Sequence, residues 1–232
     1  MGNCRGCSSG ELKDAAYYDK VYDDDIINVP AALSRITRWC IMASDWVVGQ
    51  SILDLGCGLG TLAKYIPIAA TYTGVDFSSV AIDYAREHAQ IGRDAVFVCG
   101  DIIKYTAGLL DQSFDTVVLC EVLEHLADPL EMISQAKRIA RMRVVITVPI
   151  NMPGPGHVWP RWSRGALVKH FGSLLYHATF NPHQIAVWER PAEQRKQPID
   201  MAAWHDATDE ASIQIKEAVS AAMMGTTKNG DD

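Results

Sequence analysis

Three aspartates in the first half of the chain, Asp54, Asp76 and Asp101, each stand at the carboxyl end of a short apolar run, and Asp54 is followed by Gly56, Gly58 and Gly60. Glycines in such a turn let the backbone bend tightly and approach a ligand closely. A carboxylate about twenty residues past the first glycine, the place held by Asp76, reaches ribose hydroxyls in an open α/β sheet, so the pattern points to a nucleoside ligand. The third glycine falls one position too early for the G-x-G-x-x-G of a dinucleotide site, and position 61 is Thr. A second group of reactive side chains comprises Glu121, Glu124, His125 and, further on, His157. An imidazole that titrates near neutrality suits proton removal, which makes His125 and His157 the candidate general bases. The plainer readings are that His125 caps local backbone groups and that His157 faces solvent.

The elements that must position these groups follow from periodicity. Apolar runs ending at 55, 76, 101 and 121 read as four strands whose carboxyl ends all carry polar groups, which is where open α/β sheets bind ligands. Residues 142–150 predict a fifth strand, and 174–180 and 184–189, joined at Asn181-Pro182-His183, predict a closing hairpin. Helices are predicted over 79–91 behind a Ser cap, over 130–140 behind Asp128-Pro129, and over 163–171. The helix after the glycine turn is short because Pro67 stops it. Residues 11–46 read as two helices, the first bearing Tyr17, Tyr18 and Tyr22; residues 1–10 read as a disordered start, and 191–232 as a polar extension with a helix over 208–224.

With these motifs in order and at these spacings, the chain resembles the class I S-adenosylmethionine-dependent methyltransferases, and in particular the type 11/12 and ubiquinone-biosynthesis O-methyltransferase group, over roughly 45–190. DLGCGLG at 54–60, GVDFS at 74–78, GD at 100–101 and FDTVVLCEVLEHLADP at 114–129 carry the resemblance. It implies a Rossmann-like, mostly parallel seven-stranded α/β sheet with helices on both faces and a C-terminal antiparallel hairpin. It also implies a methyltransferase domain over 11–190 that uses S-adenosyl-L-methionine. By the same resemblance Gly56, Gly58 and Gly60 flank the methionine part, Asp54 receives its ammonium directly or through water, Asp76 holds the ribose hydroxyls, and Asp101 with Ile102 meets the adenine. Cys57, Phe77 and Cys120 join the cofactor-lining set. The helix start after Gly60 would receive the cofactor's carboxylate. Tyr17-Tyr18-Asp19 resembles an N-terminal segment that folds over the cofactor in related enzymes, which adds Tyr18 to that set, with ordinary packing as the alternative.

The expected reaction is methyl transfer to a small molecule, at a hydroxyl oxygen ahead of nitrogen or carbon. Displacement at a sulfonium carbon asks the protein chiefly for alignment and for removal of the acceptor's proton. The spacing E-x-x-E-H with a later His157 also resembles the metal site of small-RNA terminal 2′-O-methyltransferases. That gives an alternative set, Glu121, Glu124, His125 and His157, whose oxygen and nitrogen donors would suit Mg²⁺ or Mn²⁺. A third reading is a catalytically silent cofactor-binding domain that serves as a scaffold, with the helix over 208–224 as its contact; the same helix is the candidate surface for a homodimer.

Composition limits these choices. The 232 residues, 48% of them hydrophobic, suffice for one full core. A net charge of −7 argues against a broad nucleic-acid footprint, and the cluster Lys137, Arg138, Arg141 and Arg143 reads as a solvated face. No apolar run is long enough to span a bilayer and no signal-like apolar region opens the sequence, so a cytoplasmic protein is expected. The six cysteines suggest no disulfide framework; Cys4 and Cys7 form only half of a zinc pattern.

Overall fold

A computed structural model describes residues 11–27, 39–67, 70–89 and 95–196. The expected segments at 1–10 and 208–224, and with them the proposed dimer helix, lie outside the described residues, as does the predicted end of the 79–91 helix.

Seven strands form one sheet: β1 (Ser51–Leu55), β2 (Thr71–Asp76), β3 (Ala95–Cys99), β4 (Phe114–Cys120), β5 (Ala140–Pro149), β6 (Tyr176–Phe180) and β7 (His183–Glu189). Their order is β3-β2-β1-β4-β5-β7-β6. β1 to β5 run parallel, and β7 is antiparallel to both β5 and β6. The fold class expected from the sequence is therefore the one observed. β1 is buried at all five positions, as a central parallel strand covered on both faces must be.

The helices are α1 (Ala15–Ile27), α2 (Ser79–His88), α3 (Ile102–Ala107), α4 (Pro129–Ile139) and α5 (Arg164–Phe171), with a further helical turn at 39–44. Their starts follow local chemistry. The side chains of Ser78, Asp101, Asp128 and Ser163 each accept a backbone N–H from the first turn of the helix that follows. β5 begins at Ala140, two residues ahead of the predicted 142, because the residue directly after α4 is already extended and no loop separates the two elements. After the glycine turn there is only a single 3₁₀ turn, Thr61–Lys64.

The end of the sheet away from the glycine turn is tied by one buried carboxylate. Asp115 accepts N–H bonds from Gln50 and Ser51 through Oδ2, and its Oδ1 lies 2.6 Å from Arg141. Arg138 and Arg143, from the same basic cluster, pair with Asp111 and Glu189. That cluster is thus largely spent on holding β4 and β5 to their neighbours. Among the described residues no helix is long and apolar enough to cross a membrane, and Cys40, Cys57, Cys99 and Cys120 are free thiols.

Candidate active site

The glycine turn closes over the end of β2. Backbone N–H groups of Gly56 and Cys57 donate to the Val75 carbonyl at 2.7 and 3.1 Å, and Gly58 N–H donates to Asp76 Oδ2 at 2.9 Å. Asp76 Oδ1 accepts the Ser78 N–H at 2.9 Å. One carboxylate thus fixes both the turn and the start of α2. It still keeps a lone pair on each oxygen, since a carboxylate can accept about four bonds. Burial raises its pKa, while the backbone N–H groups of Ser78 and Gly58 oppose the rise.

Gly56 has φ +74, and a β-carbon there would come within 2.5 Å of Val122 Cγ2. Only glycine lets the turn lie this close to the chain leaving β4. Gly60 does different work: a β-carbon would meet Ala89 and Phe97 at 2.8 and 2.9 Å, so this glycine admits α2 and β3 rather than a ligand.

In front of the turn lies a cavity of about 350 Å³, a size ordinary for small-molecule sites. Gly56, Asp76, Phe77, Asp101 and Ile102 form its sheet side, Tyr18 and Tyr22 of α1 its roof, and Glu121, Val122 and His125 its far wall. α1 is placed by Asp19, whose Oδ1 accepts the Ser78 hydroxyl at 2.5 Å and the Val80 N–H at 3.3 Å. The Tyr18 ring centroid lies 5.2 Å from that of Phe77, and its hydroxyl is 2.8 Å from His125 Nδ1.

The far wall is unusual in backbone and charge. Glu121, the first residue past β4, has φ +57, a conformation that non-glycine residues seldom adopt and that costs energy to hold. Its Oε2 meets Nε2 of His183 at 2.9 Å, an imidazole brought in by β7. Glu124 is completely buried, and burial, followed by the neighbouring Glu121 carboxylate, lifts its pKa well above the usual range. His125 accepts or donates at Nδ1 to Tyr18 and also contacts the Gly156 carbonyl at 3.0 Å. Burial lowers the His125 pKa to about 4, so the ring is neutral at neutral pH.

Of the residues singled out from sequence, Tyr18, Gly56, Asp76, Phe77, Asp101, Ile102 and His125 stand around the cavity. Asp54, Cys57, Gly58, Gly60, Cys120 and His157 are not on its wall. Asp54 faces inward, accepts the Tyr72 hydroxyl at 2.5 Å, and is pushed by burial up to about 7. Cys57 and Cys120 are thiols whose pKa values burial raises far above the ordinary one. The 3₁₀ turn after Gly60 is itself buried and replaces the helix start expected to receive a carboxylate. Glu121 does not join Glu124, His125 and His157 in the group whose ligand atoms converge; its Oε2 is on His183, while the carboxyl group also neighbours that of Glu124. The segment 151–171 supplies no residue to the wall of this cavity.

Leu12 and Lys13 line the cavity unannounced by any motif. Tyr22 could be found, since it lies four positions from Tyr18 on the same helix face. His183 could not, because a strand residue 62 positions from Glu121 in sequence carries no local signal of that pairing.

Comparison with known proteins bears on this geometry. Residues 53–146 match the family described as Methyltransferase domain. An uncharacterised 37.1 kDa protein of a Streptomyces fradiae transposon is 35% identical over 138 residues, which cover 57% of this chain and 39% of that protein. The ubiquinone biosynthesis O-methyltransferase of Actinobacillus pleuropneumoniae serotype 5b is 31% identical over 98 residues, 40% of this chain and 42% of the relative. The chain thus spans about two fifths of the length of these curated relatives. Among solved structures, magnesium protoporphyrin IX methyltransferase from Synechocystis PCC 6803 with bound SAH superposes with a TM-score of 0.51 at 20% identity, covering 75% of this chain and 83% of that one. A SAM-dependent methyltransferase from Aquifex aeolicus gives 0.51 at 15% identity, covering 76% and 98%. At such identities the likeness speaks to the fold.

Proposed function

We infer, for a chain that belongs to the class I S-adenosylmethionine-dependent methyltransferases, that it transfers a methyl group from S-adenosyl-L-methionine to a hydroxyl oxygen of a small molecule. The observation that carries this reading is a single cavity with nucleoside-binding chemistry at one end and an imidazole at the other: Asp76, Asp101 and Ile102 on the sheet side, His125 on the far wall.

The residues suit the cofactor. Asp76 has lone pairs left for two ribose hydroxyls after serving Gly58 and Ser78. Phe77 and Ile102 offer apolar surface to a flat base, and Asp101, although its Oδ1 caps α3, is exposed at the rim. S-adenosylmethionine, when bound, supplies a methyl group already activated on a sulfonium sulfur. The protein's share is then alignment, exclusion of water beneath α1, and disposal of the acceptor's proton at the His125 end. A neutral His125 is able to take that proton, though so weak a base gives modest assistance by itself. His157 lies beside it, with ring centroids 4.7 Å apart.

Tyr18 and Tyr22 act in this reading as part of a lid. The free thiols support a reducing, cytoplasmic setting, and the ubiquinone biosynthesis O-methyltransferase among the relatives supports an oxygen acceptor. Titration with S-adenosylhomocysteine tests the cofactor half, with Asp76→Ala expected to weaken binding more than about tenfold because the ribose hydroxyls lose their acceptor. Transfer of labelled methyl to a panel of phenols and catechols tests the other half. Binding of NADH with none of S-adenosylhomocysteine would overturn the assignment.

A further inference from the structure

The segment that roofs the cavity meets different chemistry at its two ends. At one end a β-carbon on Gly58 would come within 2.8 Å of the Tyr22 hydroxyl, so Tyr22 covers the glycine turn. At the other, a β-carbon on Gly156 would meet the Tyr18 hydroxyl at 2.9 Å, His125 Nδ1 at 3.3 Å and Lys13 Cγ at 3.4 Å. Three side chains thus crowd one point beside the far wall. A helix rises about 1.5 Å per residue, which sets Lys13 on the order of 10 Å from Tyr22 along the axis of α1. The lysine therefore stands at the His125 end of the cavity, away from the turn.

Among the described residues that line this cavity, Lys13 is the one lysine or arginine, set against the carboxylates of Asp76, Asp101 and Glu121. Asp76 and Asp101 belong to the nucleoside end, and Glu121 has its Oε2 on His183. His125 is neutral. The Lys13 ammonium is 2.9 Å from Oε2 of Glu11, a side chain that is 84% exposed. A pair of this kind contributes little and exchanges readily for another anion. The Lys13 side chain is itself only 25% exposed, with its stem beside Gly156 and its ammonium 5.6 Å from the centre of the Tyr17 ring. A cation so placed, and so loosely paired, is suited to an anion that enters the cavity.

We propose that Lys13 makes the cavity selective for acceptors that carry a carboxylate in addition to the hydroxyl that is methylated. The acceptor's part in this rests on the methyltransferase reading. In that reading the methionine part of the cofactor lies along the glycine turn, at the Tyr22 end, so the anion left for Lys13 is the acceptor's. One ammonium among three carboxylates offsets a single negative charge. A phosphate dianion would call for the fork of an arginine or for a second cation.

The test uses the full chain, titrated calorimetrically with S-adenosylhomocysteine and then, with that ligand present, with 3,4-dihydroxybenzoate or its methyl ester. The two share ring and hydroxyls and differ in charge. The acid should bind roughly tenfold tighter or more, the range of a charge-assisted hydrogen bond. Lys13→Met, which keeps the stem, should level the two ligands, and Lys13→Arg should keep the preference, while affinity for S-adenosylhomocysteine stays as in the wild type in both variants. Equal behaviour of acid and ester in the wild type, absence of binding by both included, would overturn the proposal, as would a preference that survives Lys13→Met. Loss of S-adenosylhomocysteine affinity in Lys13→Met would assign the lysine to the cofactor's own carboxylate and overturn it too. Selective binding of the acid by a wild type with no affinity for S-adenosylhomocysteine would instead remove the cofactor reading and leave Lys13 as a carboxylate anchor.

Discussion

The hydroxyl of Tyr18 lies 2.8 Å from Nδ1 of His125, joining residues 107 positions apart and linking the roof of the cavity to its far wall. The same nitrogen faces the Gly156 carbonyl, so α1, the end of β4 and the 151–161 loop meet at one ring. Tyr18→Phe should keep the contact with Phe77 and lose one hydrogen bond, about 1 kcal/mol, lowering kcat/KM some fivefold with a small change in melting temperature. Tyr18→Ala should also lose the ring against Phe77 and weaken S-adenosylhomocysteine binding. Steady-state kinetics and calorimetry decide it; wild-type behaviour in both variants would reduce the contact to packing.

Gly60→Ala should destabilise the protein by about 2 kcal/mol or more, because a β-carbon would press on Ala89, Phe97 and Ala85 at a backbone φ of +69. Urea unfolding measures the loss, and the affinity of the folded fraction for S-adenosylhomocysteine should hold. Weakened affinity at unchanged stability would place this glycine against the ligand after all.

Asp54 predicts a dependence of stability on pH. Its folded pKa, about 7, stands above the ordinary carboxylate value of 3.8 because of burial, so between roughly pH 4 and 7 the folded state keeps a proton that the unfolded chain releases. Stability from this group therefore falls as pH rises through that window and levels off above it, by a few kcal/mol in order of magnitude. Asp54→Asn retains a partner for the Tyr72 hydroxyl and removes the titration. The difference between wild type and variant in urea midpoints at pH 5, 6, 7 and 8 should slope accordingly, and a flat difference would refute the assignment.

The two tryptophans of the 151–171 segment should part company on mutation. Trp162 is 4% exposed within the core and Trp159 is 42% exposed. Trp162→Ala is expected to cost about 3–5 kcal/mol, and Trp159→Ala little. A Trp159→Ala variant of normal stability with a raised acceptor KM would give that side chain a part in recognition.

What the sequence made legible was local. Strands and helix starts announce themselves through apolar runs that stop at Gly or Asp and through Ser or Asp one residue ahead of a helix, so the seven strands and the caps at Ser78 and Asp128 could be read in advance. The direction of a single side chain at a strand end could not. Asp54 and Asp76 look alike in sequence, yet parallel register brings Tyr72 under Asp54 and turns it inward, while Asp76 meets the cavity. The same holds on the far wall. Glu121 and Glu124 are three apart and their carboxyl groups do meet, but no local signal announces that Glu121 Oε2 is also taken by His183 on a distant strand.

Among the described side chains of α1 none belongs to the buried core and none is fully buried. Among the contacts that hold it are the Asp19 bonds to Ser78 and Val80, the edge of Phe77 and the Tyr18 hydroxyl. Segments secured this way detach at a fraction of the free energy of global unfolding. α1 closes the cavity from outside the sheet, so a displacement of this helix alone would open the cavity and leave the seven strands paired.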